Sequence, residues 1–178
     1  EGGHTPLPQN NLPTLGSDLA MSKGYYRGSP MGELSGWTLS LWFEASSDKK
    51  GDLLGIVRNE NNGEAYRLTY ESGSLSFGDP KQKKRPRKLV VNGVKKEQWN
   101  HVVISYGQAT GPTLYLNAEK KAQGGRGQMG YATQFDHYHF GAAVVGKGKY
   151  GDYFDGKIDD FELYNRPFDE EEIKRLNK

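Results

Sequence analysis

The segment that most constrains this chain is residues 37–44, where side chains alternate between two faces. Trp37, Leu39, Leu41 and Phe43 fall on one side, and Thr38, Ser40, Trp42 and Glu44 on the other. A period of two is the geometry of an extended strand, whose successive side chains point to opposite faces. The pattern predicts a strand with one face in a core. Shorter strand-like runs follow at similar intervals, near residues 52–58, 65–70, 75–77, 88–91, 99–106, 113–116, 137–142 and 159–164. The breaks between them carry turn chemistry: Asn61-Asn62-Gly63, Ser72-Gly73, Asn92-Gly93 and the stretch from Gly107 to Gly111. Strands separated by turns and not by helices predict an all-β fold, a sandwich or barrel. Composition agrees, with 24 Gly and 11 Tyr but only 34% hydrophobic residues.

Residues 1–16 hold Gly2, Gly3, Pro6, Pro8, Pro13 and Gly16 with almost no apolar pattern, which predicts a linker or arm. Residues 17–178 are expected to form one domain. The single helix signal comes late: Asp169 can cap it, Glu172 lies three residues on, and Phe168 can staple onto Ile173. Lys174, Arg175 and Lys178 suit the helix dipole. There is no cysteine, so disulfides and thiol chemistry are excluded. No apolar run has membrane-spanning length and no signal peptide is visible.

Four segments in order carry a resemblance. They are Trp37-Thr38-Leu39-Ser40-Leu41-Trp42-Phe43, then Trp99-Asn100-His101-Val102-Val103-Ile104-Ser105-Tyr106, then Leu114-Tyr115-Leu116-Asn117, and finally residues 154–166, which run into the capped helix. Together they resemble the laminin-G-like jelly-roll domains of the concanavalin-A-like lectin and glucanase superfamily, over roughly residues 23–177. One departure is Ala118, where the family's turn usually has Gly. The resemblance implies a two-sheet antiparallel jelly-roll sandwich with a short C-terminal helix. It also implies a setting outside the cell or at its surface, and a polysaccharide or glycan ligand. A protein partner is the rival reading, because this fold carries interaction and structural domains as well as lectins and enzymes.

An enzyme of this fold would need carboxylates at alternate positions of one strand. Asp160 and Glu162 come closest but lack a third member, and alternation places them on an outer face, so no catalytic activity is expected. Asp159 shares the parity of Phe161 and Leu163, which aims it inward, where a carboxylate needs donors or a cation. Either backbone N–H groups of a rim loop supply those donors or, as the resemblance implies for the rim of such sandwiches, a structural calcium is held by Asp159 with Asp155 or Asp18. Candidate glycan contacts are Tyr131, Tyr150 and Tyr153 in loops, with Arg58 and Arg67 as hydrogen-bond donors. Between residues 81 and 88 lie six cations, including Lys83, Lys84 and Arg85. They would suit an acidic glycan, and without interleaved aromatics they do not suggest nucleic acid. His137 and His139 share a strand face and are expected at the surface, with no zinc set evident. His101 is expected to be a packing residue that makes hydrogen bonds.

Overall fold

A computed structural model describes residues 19–21, 26–27, 32–33, 36–59, 63–80, 88–125, 134–135, 137–146 and 149–177. The strands described are, in order, β1 (Leu19–Met21), β2 (Tyr26–Arg27), β3 (Gly32–Glu33), β4 (Gly36–Ala45), β5 (Gly51–Asn59), β6 (Gly63–Glu71), β7 (Ser74–Gly78) and β8 (Lys88–Asn92). They continue with β9 (Trp99–Gly107), β10 (Gly111–Leu116), β11 (Glu119–Gln123), β12 (Gln134–Phe135), β13 (His137–Phe140), β14 (Ala143–Gly146), β15 (Lys149–Gly151) and β16 (Gly156–Tyr164). The helix α1 (Glu170–Leu176) closes the chain. The expected linker over residues 1–16 lies outside the described residues.

Two six-stranded antiparallel sheets face each other. One runs β1-β16-β4-β9-β10-β11, the other β2-β13-β5-β6-β7-β8. The fold is the expected all-β jelly-roll sandwich. The alternation read at residues 37–44 explains the layer between the sheets: Trp37, Leu39, Leu41 and Phe43 are all buried. They meet Leu54, Ile56, Tyr66, Leu68, Tyr70, Leu75 and Phe77 from the opposite sheet in one cluster. Trp37 contacts Phe77 edge to face with centroids 6.2 Å apart, and Phe154 makes T-shaped contacts with both Phe43 and Tyr70. Burying a side chain as large as Trp37 contributes about 3–5 kcal/mol relative to Ala.

The turns behave as their residues require. Ser72 and Gly73 both take positive φ, 47° and 77°, the geometry of a tight hairpin between β6 and β7. Residues 117 and 118 do the same at 52° and 64°, so Ala118 holds the left-handed conformation in which the resemblance leads one to expect Gly.

Helix α1 lies over the outer face of the first sheet. Asp169 accepts from Glu172 N–H at 2.9 Å while the Glu172 carboxylate accepts from Asp169 N–H at 3.1 Å, completing the capping box. Phe168 and Ile173 are buried together with Val103 and Tyr115. The approach to the helix is fixed by two buried hydroxyls that are cross-strand partners, Thr38 and Ser105. Phe168 N–H donates to both, at 2.9 and 3.0 Å. His101 meets its expectation as a packing residue. Its ring is buried, stacked on Trp42 with centroids 4.7 Å apart, and bonded to Ser40 Oγ at 2.7 Å and Asn177 Oδ1 at 3.0 Å.

Parity fails at one point. The register of β16 on β4 shifts between Asp159 and Glu162, and Asp160 takes a positive φ of 46°. This bulge puts Ile158 and Phe161 both in the core. Asp159, opposite Trp42, therefore lies on the outer face and not inward as simple alternation predicts. Its Oδ1 accepts from Asp160 N–H at 2.8 Å.

Candidate functional site

The outer face of the second sheet carries a shallow trough. Strand β7 sends Leu75 and Phe77 into the core, which leaves Ser74, Ser76 and Gly78 on the outer side. In register with them, β6 contributes Arg67 and Thr69, and β8 contributes Lys88 and Val90. On the far side Gly55 of β5 stands between Arg67 and His139 of β13. Small side chains thus form the floor, and glycines let another group approach the backbone. Among the described residues the floor is open only over β7 and β8, where Ser74, Ser76, Lys88 and Val90 reach the surface; over β5 and β6 Asp52, Gly55 and Thr69 are buried, as is His139 of β13.

The hairpin β14–β15 forms one wall, and a charged network fixes it. Asp52 is fully buried; it accepts from Thr69 Oγ1 at 2.5 Å and pairs with Arg67 Nε at 3.0 Å. Arg67 also donates from Nη2 to the Val144 carbonyl at 3.3 Å, and its Nη1 lies 3.8 Å from Asp152 Oδ2. Asp152 carries a second cation, Lys50, at 2.8 Å, and this bond holds the ammonium above its ordinary pKa. Asp52 N–H donates to the Asp152 carbonyl at 2.9 Å. Two cations balance two carboxylates: the pair nearest the core joins β6 to β5, and from it Arg67 reaches the hairpin through the Val144 carbonyl and Asp152. A buried pair of this kind holds only while both partners are present.

Above this base the hairpin and the residues just after it present aromatic and apolar groups. Tyr153 is 37% exposed and Val145 57% exposed, while Tyr150 is half-buried against His139, edge to face at 5.5 Å. Tyr153 Oη donates to the Tyr150 carbonyl at 3.3 Å. His139 is fully buried beneath this wall, contrary to the expectation of a surface histidine pair. The reason is the hairpin, which covers a strand face that alternation alone reads as solvated.

Three of the expected ligand residues, Arg67, Tyr150 and Tyr153, are therefore brought to one place. Arg67 is turned inward, and Tyr153 outward. For Arg58 only the backbone in β5 is described, and Lys83, Lys84, Arg85 and Tyr131 lie outside the described residues. Asp152 belongs to the aromatic and polar loop 150–153 that the sequence marks, whereas nothing in the sequence marks Asp52 or Lys50. The Ser-x-Ser-x-Gly spacing of residues 74–78 was the available sign of an open outer face.

Calcium was expected at Asp155 and Asp159. Asp155 lies just before β16, where its carbonyl accepts from Ser46 N–H at 2.9 Å. Asp159 is turned outward by the bulge. Asp18 lies outside the described residues, and among those described no group of three or more Asp, Glu or His side chains stands close enough together to hold a metal ion. Among the same residues no helix is long and apolar enough to cross a membrane.

Two facing antiparallel sheets, a jelly-roll strand order and a trough on one outer face define the lectin-like sandwich class. The sequence matches the model of the laminin-G-like family over residues 24–174, and the chain belongs to the concanavalin A-like lectin/glucanases superfamily. No curated protein matches it in sequence. Among solved structures it is similar to the native heptameric SAP-like pentraxin of Limulus polyphemus. The TM-score there is 0.71 at 11% identity, covering 97% of this chain and 80% of the pentraxin. It is also similar to the receptor binding domain of botulinum neurotoxin D, with a TM-score of 0.68 at 13% identity, covering 98% of this chain and 47% of that one. A sialidase of Trypanosoma rangeli gives a TM-score of 0.61 at 18% identity, with 80% of this chain and 22% of the sialidase covered. These likenesses establish the fold.

Proposed function

We propose that this domain is a non-catalytic glycan-binding module, and that a polysaccharide lies along the trough with one sugar against Tyr153. The observation that carries this reading is the outward Tyr153 ring beside the Lys50–Asp152 pair, just after a hairpin held to the sheet by Arg67, which is itself paired with buried Asp52. An aromatic plane takes the apolar face of a sugar, while an ammonium and a carboxylate at its edge bond hydroxyls. Anchoring the hairpin in advance lowers the ordering cost of binding. The cations of residues 81–88, which run into β8, favour an acidic polymer.

A glycan array run with calcium and again with chelator, including neutral, uronic and sulfated polysaccharides, tests this. Binding to acidic glycans that weakens with salt and drops about tenfold in Tyr153→Ala is the expected result. Loss of binding in chelator would add the calcium expected at Asp155 and Asp159. Silence across the array from folded protein overturns the reading. It would favour a protein-interaction domain, for which the exposed Val145 beside Tyr153 is the supporting observation.

A further inference from the structure

The outer face of the first sheet is only partly covered by α1. Beyond the helix end, where Asn177 bonds His101, the next positions of the sheet surface are Trp42, Glu44 and Trp99. Trp42 stands opposite His101 and Glu44 opposite Trp99, so the two indoles are diagonal neighbours on one face, within reach of each other. Trp42 is half-buried and lies flat on the His101 ring, 15° from parallel. Trp99 is 37% exposed, the most exposed tryptophan of the chain.

Strand β16 edges this surface with charge. Lys157 lies opposite Glu44, with Nζ 3.4 Å from its carboxylate and 5.9 Å from the Trp99 ring centroid. Asp159 follows opposite Trp42, turned to this face by the bulge. A single exposed apolar residue needs no explanation. Here one indole is held flat by its stack on His101, the second is its diagonal neighbour with the Lys157 ammonium over its ring, and two carboxylates lie beside them.

We propose that the Trp42–Trp99 surface is a second ligand site, distinct from the trough, that takes a neutral pyranose oligosaccharide. The C–H face of a sugar ring rests on Trp99, and its hydroxyls bond Lys157, Glu44 and Asp159. The charge balance chooses the ligand: two carboxylates against one ammonium repel a uronic or sulfated sugar and leave hydrogen-bond acceptors for uncharged hydroxyls. The site does not depend on the trough reading, because it lies on the opposite sheet.

The test is a titration of the whole domain with neutral hexasaccharides of glucose, xylose, mannose and galactose, and with a hexauronate as contrast. Indole N–H signals are followed in two-dimensional nitrogen–proton NMR. At least one neutral hexasaccharide should shift the Trp42 and Trp99 indole signals, and the hexauronate should leave them in place. Trp99→Ala should weaken that binding by about tenfold with the melting temperature unchanged, while Tyr153→Ala leaves it intact. Shifts confined to the hairpin, a Trp99→Ala variant that binds as before, or indole shifts with the hexauronate alone would each overturn the second site. The first of these would leave the trough reading standing.

Discussion

At the scale of single residues, the positions that depart from simple rules are those where backbone conformation and side chain disagree. Ala118 occupies the left-handed region at φ 64° in the turn between β10 and β11, where its Cβ crowds the following carbonyl. Replacing it with glycine removes that strain, offset in part by the greater freedom glycine has in the unfolded chain. Ala118→Gly should therefore stabilise the domain by about 0.5–1 kcal/mol, read as a rise in the urea midpoint with an unchanged slope. Asp160 is the other instructive case, a non-glycine residue at φ 46° whose carboxyl is pushed above its usual range by burial and then by the charge of Asp159. The residue at the bulge was visible in the sequence; the bulge was not. Counting by twos carries no information about where a strand inserts an extra residue, and so the inward aim read for Asp159 failed.

At the scale of elements, the strands whose inner faces are buried were legible, because core burial imposes the alternation that sequence displays. Strands β4, β5, β6, β7, β8, β9, β10 and β16 all fall on the expected segments to within a few residues, and α1 was announced by its capping box. Strand β11, with the sequence EKKAQ, and the hairpin β14–β15 were not legible. The first is a charged edge strand with little to bury, and the second packs on the outside of the sandwich. The candidate site depends on that hairpin, so only its outward aromatics and Arg67 could be anticipated. The Arg67–Asp52 pair makes the attachment testable. Asp52→Asn leaves Arg67 largely buried without its nearer, buried charge partner, and a loss of about 3 kcal/mol is expected from chemical denaturation. Arg67→Met combined with Asp52→Leu should cost clearly less than the two single changes added together, because neither charge is then stranded. Additive losses in that double-mutant cycle would show that Arg67 and Asp52 are not coupled across β5 and β6.

At the scale of the whole molecule, acid should act through the seat of the helix. His101 is buried between β4 and α1, and burial lowers its pKa from 6.5 to about 4, partly opposed by the bond to Asn177. Between those values the unfolded chain binds the proton and the folded one does not. The contribution is therefore complete above pH 6.5 and is lost as pH falls toward 4. The loss should amount to about 2–3 kcal/mol, and His101→Gln should flatten this part of the stability profile measured from pH 7 to 4. An unchanged profile in that variant would place the acid sensitivity elsewhere.

The strand order has a consequence in time. Strand β16, late in the sequence, is not an edge but lies between β1 and β4, and the Thr38 hydroxyl reaches the Arg166 carbonyl 128 residues away. The first sheet cannot be completed until the distant segment returns to it, and so many non-local contacts make for folding on the scale of milliseconds to seconds. Until then β4 presents an open, strongly apolar edge to any neighbouring chain. A chain cut short before Gly156 would accordingly not be a smaller version of the domain: it would be an unfinished sheet, vulnerable to aggregation for as long as it persisted.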